Sequence, residues 1–86
     1  MTIPQESEYS SWIKAIGRWS PRAQSDLLSR LRRANLIVPI ETAKSFSEYR
    51  ETITSKSGWA AIPVTSQSSV LQAAKIYIDW KSSRQN

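Results

Sequence analysis

Four arginines lie close together in the first half of the chain, at positions 22, 30, 32 and 33. Arginine suits the binding of phosphate groups, because its planar guanidinium stays charged and can bond two oxygens at once. One acidic residue, Asp26, lies four residues from both Arg22 and Arg30, and this spacing is expected to neutralise part of the charge within a helix. The group predicts either a surface that binds a polyanion or an ordinary solvated charged face.

A helix must hold these arginines, and residues 20–35 have the pattern of one. Ser20 can cap the first turn and Pro21 suits the first helical position, while Asn35 is predicted to stop the helix in a left-handed conformation. Apolar spacing of three and four defines a core face, formed by Gln24, Leu27, Leu28, Leu31 and Ala34. The opposite stripe is polar, with Arg22, Asp26, Ser29 and Arg33 on it and Arg30 and Arg32 flanking the core face.

The charge balance of the whole chain favours an acidic partner. It has 12 Lys and Arg against 7 Asp and Glu, a net charge of +5, and a pI near 10.0. Nucleic acid is the commonest partner of so basic a domain. No segment pairs a lysine-rich face with a long bulky apolar face, no apolar run could span a bilayer, and the first residues lack signal-peptide order. A cytoplasmic protein with no membrane partner is therefore expected.

Catalytic chemistry is not supported by the residue types present. The chain has no histidine and no cysteine, which excludes the common general base, a thiol nucleophile and zinc ligation by these residues. Glu48 and Glu51 share a helix side by spacing, but they flank Arg50 on a polar face. The 2 glycines are too far apart to form a phosphate-cradling loop. The sequence therefore predicts a protein that is not an enzyme and that takes no cofactor or metal.

Three further helices are predicted, over residues 7–17, 47–56 and 67–81. Gly17 is expected to end the first. Ser45 is the expected cap of the third helix, with Glu48 as its capping-box partner, and Thr65 or Ser66 is expected to cap the fourth. The helices account for most of the chain, so the fold class predicted is all-α.

The segments between the helices are predicted to be non-helical. Residues 36–40 form an apolar run that Pro39 prevents from pairing as a central strand, so an extended, buried connector is expected. Residues 58–64 are expected to form a loop with an apolar underside. The domain organisation predicted is one domain over residues 1–86, a compact bundle of two longer and two shorter helices that is ordered over 7–82 and has flexible ends at 1–6 and 83–86.

The fourth helix has an apolar arc wider than a surface helix needs. Its core face is formed by Val70, Leu71, Ala74, Tyr77 and Ile78. The arc is widened by Ala73, Ile76 and Trp80. These three residues predict either burial within the bundle or an interface with another domain or protomer. For Trp12 and Trp19 the sequence favours anchoring of the core over stacking on nucleic-acid bases.

The order of these features resembles a known family. A tryptophan-containing first helix is followed by SPRAQSDLLSRLRRA, which is similar to the pattern S-x-x-T-x-x-x-Y-x-x-x-L-x-x-F, with Ala23 and Leu27 or Leu28 where Thr and Tyr are usual. After a short third helix comes SQSSVLQAAKIYIDWK, which is similar to a closing L-x-x-L-x-x-F-Y helix. Over residues 7–82 the chain resembles the N-terminal core-binding, SAM-like domain of tyrosine recombinases of the phage-integrase type.

The resemblance implies a four-helix SAM-like bundle that clamps one side of double-stranded DNA during recombination and integration. The catalytic Arg, His and Tyr of that family lie in a separate domain, so that domain or other protomers would be further partners. The residues implied to contact DNA lie on the second and fourth helices: Arg22, Ser25, Ser29, Arg30, Arg33, Gln67, Ser68, Gln72 and Lys75.

Two other functions remain open from the sequence. A helical protein-interaction or oligomerisation module would use the apolar flank of the fourth helix, formed by Ala73, Ile76 and Trp80. An independent helix-turn-helix repressor is less favoured, because a long connector rather than a tight turn separates the second and third helices.

Overall fold

The computed structural model describes residue 3 and residues 5–84, and over this part of the chain five α-helices and one 3₁₀ turn make up the fold. The helices are α1 (Glu6–Ile16), α2 (Pro21–Ile37), α3 (Phe46–Thr54), α4 (Ser57–Ala60) and α5 (Val64–Arg84), and the 3₁₀ turn is Ile40–Thr42. Four of the five helices have nine or more residues. The described chain is therefore a small all-α bundle, as predicted.

Helix α1 begins one residue before its predicted start and ends where the glycine requires it to end. Gly17 follows the last helical residue with φ of +70°, the left-handed conformation that glycine adopts without steric cost. Tyr9 and Ile13 are buried, as their spacing predicts. Ile16 was expected on the same face, but it is 40 % exposed, because it lies in the last turn, at the edge of the packed region.

The start of α2 is confirmed and its predicted end is wrong. The Ser20 hydroxyl accepts a hydrogen bond from the backbone N–H of Ala23 at 3.2 Å, with Pro21 as the first helical residue. Asn35 does not stop the helix, which continues to Ile37. Instead, its buried side chain accepts a hydrogen bond through Oδ1 from the N–H of Ile40 at 2.8 Å. The asparagine thus satisfies the backbone of the following turn.

The connector expected over residues 36–40 is shorter than predicted. Leu36 and Ile37 belong to the last turn of α2, and Leu36 is 71 % exposed rather than buried. Only Val38 and Pro39 separate α2 from the 3₁₀ turn. Val38 and Ile40 are buried, so the expected burial holds for these two apolar side chains.

Helix α3 begins at Phe46, directly after its predicted cap and one residue before its predicted start, and it ends at Thr54 rather than at residue 56. The loop expected after it contains a short helix. The Ser45 hydroxyl accepts a hydrogen bond from the Glu48 N–H at 3.3 Å. Residues 57–60 form the single turn α4 rather than a loop, and Trp59 on this turn is buried. Val64, placed on the apolar underside of the predicted loop, is 80 % exposed and begins α5.

Helix α5 is longer at both ends than the sequence predicts. The carbonyl oxygen of Pro63 accepts hydrogen bonds from the N–H groups of Ser66 and Gln67, at 2.8 and 3.1 Å. Thr65 and Ser66 therefore lie inside the helix and do not cap it. The helix continues through Arg84, so part of the C-terminal end that was predicted to be flexible is helical.

The predicted flexible ends are partly ordered. Ile3 is buried in the core and Glu6 already belongs to α1. Met1, Thr2, Pro4, Gln85 and Asn86 lie outside the described residues.

The core is organised around α5, which packs most extensively against α2. Leu27, Leu31 and Ala34 of α2 are buried together with the inward residues of α5. At one side of this core, a cluster of rings joins α1 to α5 and to the link before α2: Tyr9, Trp12, Trp19, Tyr77 and Trp80. The centroid of the Tyr9 ring lies 5.1 Å from that of Tyr77 and 5.2 Å from that of Trp80. Helices α2 and α5 pack side by side with their polar faces outward.

Candidate functional site

The residues predicted on α2 are all exposed: Arg22, Ser25, Ser29, Arg30 and Arg33. At 3.6 residues per turn, the positions of Arg22, Arg33 and Arg30 fall within an arc of about 80°. Among the described residues, Asp26 forms no ion pair with Arg22 or Arg30, so the predicted neutralisation within the helix is not seen as a contact. These three positions therefore lie on a common side of α2.

Arg32 is directed away from the other three arginines. Its Nε donates a hydrogen bond to Oε1 of Glu6 at 2.9 Å, which links α2 to α1. This hydrogen bond raises the pKa of the Arg32 guanidinium, and the negative charge of Glu6 acts in the same direction. The side chain therefore belongs to the α1 side of the molecule.

The residues predicted on α5 do not all share one face. Ser68, Gln72 and Lys75 are exposed on the outer side of the helix. Gln67 is only partly exposed, and its Nε2 donates a hydrogen bond to the carbonyl oxygen of Ile62 at 3.1 Å. The amide nitrogen is thus engaged by the turn that precedes α5, and the DNA contact through Gln67 stays a prediction.

An open groove runs between α2 and α5, with a volume of about 420 Å³. It brings together three predicted site residues that are far apart in sequence: Arg30 of α2, and Gln72 and Lys75 of α5. The other lining residues are Arg18, Trp19, Ala23, Leu27, Ile76 and Asp79. We call this set of residues the α2–α5 groove. Arg22 and Arg33 are on the outer surface of α2 next to it.

Arg18 and Trp19 form one end of the groove. The Cζ atom of Arg18 lies 5.2 Å from the centroid of the Trp19 ring, within the range of a cation–π contact. The side-chain amide of Gln24 donates to the Trp19 carbonyl oxygen at 2.9 Å, and the Trp12 ring lies 6.5 Å from the Trp19 ring. Trp19 is therefore fixed in place while part of it stays exposed.

Neither Arg18 nor Trp19 was predicted as a site residue. Trp19 is predicted to anchor the core, and its side chain does pack against the core cluster. The signal available was an adjacent cation and aromatic residue directly before a basic helix. Whether these two residues reach a binding surface depends on the path of the link between α1 and α2, and residue spacing alone does not show that path.

The α2–α5 groove carries three cationic side chains and one carboxylate. Lys75 Nζ and Asp79 Oδ2 are 3.0 Å apart on successive turns of α5, and both side chains are more than half exposed. Exposed pairs of this kind contribute only about 0.2–1 kcal/mol, so an incoming anion can compete for the lysine. Arg18 and Arg30 have no carboxylate within 4.0 Å among the described residues. The groove is therefore an anion-attracting surface with an aromatic end.

The apolar flank predicted as an interface does not present itself to a partner. Ala73 has no exposed surface and Trp80 is 4 % exposed, because both pack inside this chain. Ile76 is partly exposed, and it lies in the wall of the α2–α5 groove. The sequence left burial and an interface open for this flank, and the structure supports burial for Ala73 and Trp80.

The described residues contain no group of three or more acidic, histidine or cysteine side chains placed to hold a metal ion. Among the helices of this part of the chain, none combines the length and the apolar character needed to cross a membrane. Comparison with protein-family models, with curated proteins and with solved structures finds no match in any of the three.

Proposed function

We propose that this domain is a non-catalytic module that binds double-stranded DNA through α2 and the outer face of α5. The observation that carries the proposal is the α2–α5 groove, where Arg30, Gln72 and Lys75 lie together although the sequence separates them widely. Arg22 and Arg33 extend the same positive surface along α2. Phosphate contacts from such a surface supply affinity without reading the base sequence.

The spacing of the arginines suits a phosphate backbone. A helix rises about 1.5 Å per residue, so Arg22 and Arg30 are about 12 Å apart along α2, and Arg33 is about 4.5 Å further on. Duplex DNA carries one negative charge per about 1.7 Å of its axis. Several phosphates therefore fall within reach of α2 and Lys75 at once. A single small anion would leave most of this surface unused.

The larger protein context proposed is a site-specific recombinase or integrase, acting in the cytoplasm where the domain would meet DNA. The support is the resemblance in helix order to the core-binding domain of tyrosine recombinases. The chain has no histidine, so the catalytic residues of that family would have to come from a separate domain. The DNA-binding proposal itself does not depend on this context.

The test is the salt dependence of binding to a short duplex, measured by isothermal titration calorimetry. If about four to six phosphates are neutralised, the slope of log affinity against log salt is expected to be about −4 to −5. The combined Arg22→Ala, Arg30→Ala and Arg33→Ala variant should flatten this slope by about 3 and weaken binding. A matched control removes three exposed cations elsewhere, by Lys44→Ala, Arg50→Ala and Lys56→Ala, with the same change in net charge.

The two triple variants decide the location of the site. Retained affinity in the α2 variant, or an equal loss in both variants, would contradict binding through α2. Polyglutamate of similar charge is the further comparison. If it binds as tightly as the duplex, the surface is a general anion binder and the proposal fails.

A further inference from the structure

The α2–α5 groove contains a feature that phosphate binding does not require. Trp19 is partly exposed at its end, with the Arg18 guanidinium over its ring. Phosphate groups bind to cations and hydrogen-bond donors, and an aromatic face provides neither of these. Unpaired bases, by contrast, stack on aromatic rings and on the planes of arginine side chains.

We propose that the groove binds one unpaired nucleotide of a DNA strand, with its base at the Arg18–Trp19 end and its phosphates near Arg30 and Lys75. The inference rests on the proposed DNA-binding function and adds a ligand preference to it. The domain would then favour DNA with an unpaired nucleotide over a perfect duplex.

The lining of the groove matches the parts of a nucleotide. Ala23, Leu27 and Ile76 provide an apolar wall on which the flat face of a base can lie. The volume of about 420 Å³ is within the range of about 300–1,000 Å³ that is usual for small-molecule sites. The groove is open to solvent, which leaves room for the rest of the strand.

Polar side chains in the groove fit the edge of a base better than they fit a second phosphate. The Gln72 amide can both donate and accept hydrogen bonds, and the Asp79 carboxylate can only accept them. Both residues line the groove beside Lys75. A carboxylate repels phosphate but accepts a hydrogen bond from the amino group of a base, so Asp79 favours a ligand with a base in this position.

The aromatic end of the groove is ordered before any ligand arrives. The Trp19 carbonyl is held by Gln24 at 2.9 Å, and the ring is backed by Trp12. The Trp19 backbone and ring thus have packing partners without a ligand, and such pre-organisation favours affinity.

The test compares three duplexes of equal length by calorimetry: one perfect, one with a single bulged adenosine, and one with a bulged abasic sugar. The two bulged duplexes have the same phosphates and differ only in the base. The unaltered protein should bind the adenosine bulge about ten-fold more tightly than the abasic bulge, the size of effect expected for one stacked base. Equal affinity for the two bulges would overturn the inference.

Substitutions at the aromatic end of the groove test where the base binds. Arg18→Ala and Trp19→Leu should each reduce the preference for the adenosine bulge, while Arg50→Ala, which removes an exposed arginine outside the groove, should keep it. A preference that survives in the Arg18→Ala protein and in a folded Trp19→Leu protein would also overturn the inference.

The outcomes separate this inference from the proposed function. Salt-dependent binding to the perfect duplex without a base preference would leave DNA binding intact and remove only the nucleotide site. No binding to any of the three duplexes would remove both.

Discussion

The hydroxyl of Tyr49 on α3 donates a hydrogen bond to the carbonyl oxygen of Val38, 2.8 Å away and one residue beyond α2. The Ala34 carbonyl oxygen lies 3.1 Å from the same hydroxyl. The last carbonyls of a helix have no partner within the helix, and here a buried side chain from another helix supplies one. This contact fixes the C-terminal end of α2 to α3.

Removing the Tyr49 hydroxyl should therefore be costly. In Tyr49→Phe, the buried Val38 carbonyl loses its side-chain donor, and the free energy of unfolding should fall by about 1–2 kcal/mol. For a domain of this size, each 1 kcal/mol corresponds to a shift of roughly 4–8 °C in Tm. Thermal unfolding followed by circular dichroism measures the change.

The matched control is Tyr9→Phe. Tyr9 is fully buried, and no described residue accepts a hydrogen bond from its hydroxyl. Removing this hydroxyl should leave stability unchanged or raise it by about 1 kcal/mol, since the folded protein no longer buries an unsatisfied polar group. A loss in Tyr9→Phe as large as that in Tyr49→Phe would contradict the hydrogen-bond explanation.

Stability should fall at alkaline pH because three tyrosines are buried. Burial raises the pKa of Tyr9, Tyr49 and Tyr77 above the ordinary value of 10.0. Below that pH both the folded and the unfolded chain keep these protons, so the stabilisation is fully present. At higher pH the unfolded chain loses protons that the folded chain retains, so the free energy of unfolding falls by up to about 1.4 kcal/mol per pH unit for each tyrosine.

The measurement is urea unfolding between roughly pH 9 and pH 12, with tyrosinate absorbance recorded alongside. Tyrosinate should appear together with unfolding rather than before it. The Tyr49→Phe variant should show a shallower fall than the parent, because one fewer buried phenol must ionise. Full tyrosinate absorbance in a protein that is still folded would show that the rings are accessible to solvent, against the structure.

The two glycines should respond to alanine in opposite directions. Gly17 has φ of +70°, so Gly17→Ala should destabilise the protein by about 1 kcal/mol even though space is available for the methyl group. Gly58 lies in α4 without a positive φ, and a Cβ there would meet Cγ1 of Ile37 at 3.5 Å, an ordinary contact. Gly58→Ala should stabilise the protein by about 0.4–1 kcal/mol. Chemical denaturation of both variants tests the pair, and a change in the same direction would be evidence against it.

The carboxylate in the α2–α5 groove should weaken binding to perfect duplex DNA. In Asp79→Asn, Lys75 loses its partner at 3.0 Å and a negative charge leaves the surface. Affinity for the duplex should rise a few-fold, and the salt slope should steepen by up to about 1, because one more cation is available to phosphate. Glu51→Gln, an exposed charge on α3 outside the groove, is the control with the same change in net charge. Calorimetry that gives equal gains for both variants would attribute the effect to net charge alone.

Local signals in the sequence predicted the starts of α2 and α3 well, but not the start of α5. The hydroxyls of Ser20 and Ser45 each accept a hydrogen bond from a first-turn backbone N–H of their own helix, so no information from the rest of the chain is needed. Gly17 ends α1 for an equally local reason. The exposure of Ser68, Gln72 and Lys75 also followed from helical spacing alone.

Features that depend on packing between distant segments could not be predicted in this way. Asn35 has the chemistry of a helix stop, but its amide is used by Ile40 in the next turn. Trp80 lies on the edge of an apolar arc, and only the position of α1 decides that it is covered. The position of Trp19 in the α2–α5 groove depends on the path of the link between α1 and α2. Residue spacing does not give this path, so the aromatic end of the groove could not be predicted.

The cluster of rings between α1, α5 and Trp19 gives the groove an intrinsic optical readout. The Trp12 ring centroid is 6.5 Å from that of Trp19 and 6.1 Å from that of Trp80, close enough for the three indoles to exchange excitation energy. A base stacked at Trp19 would therefore quench the fluorescence of the whole group. Trp59 lies on α4 and has no ring contact with this group among the described residues, so in Trp59→Phe the remaining tryptophan emission would come from the group alone.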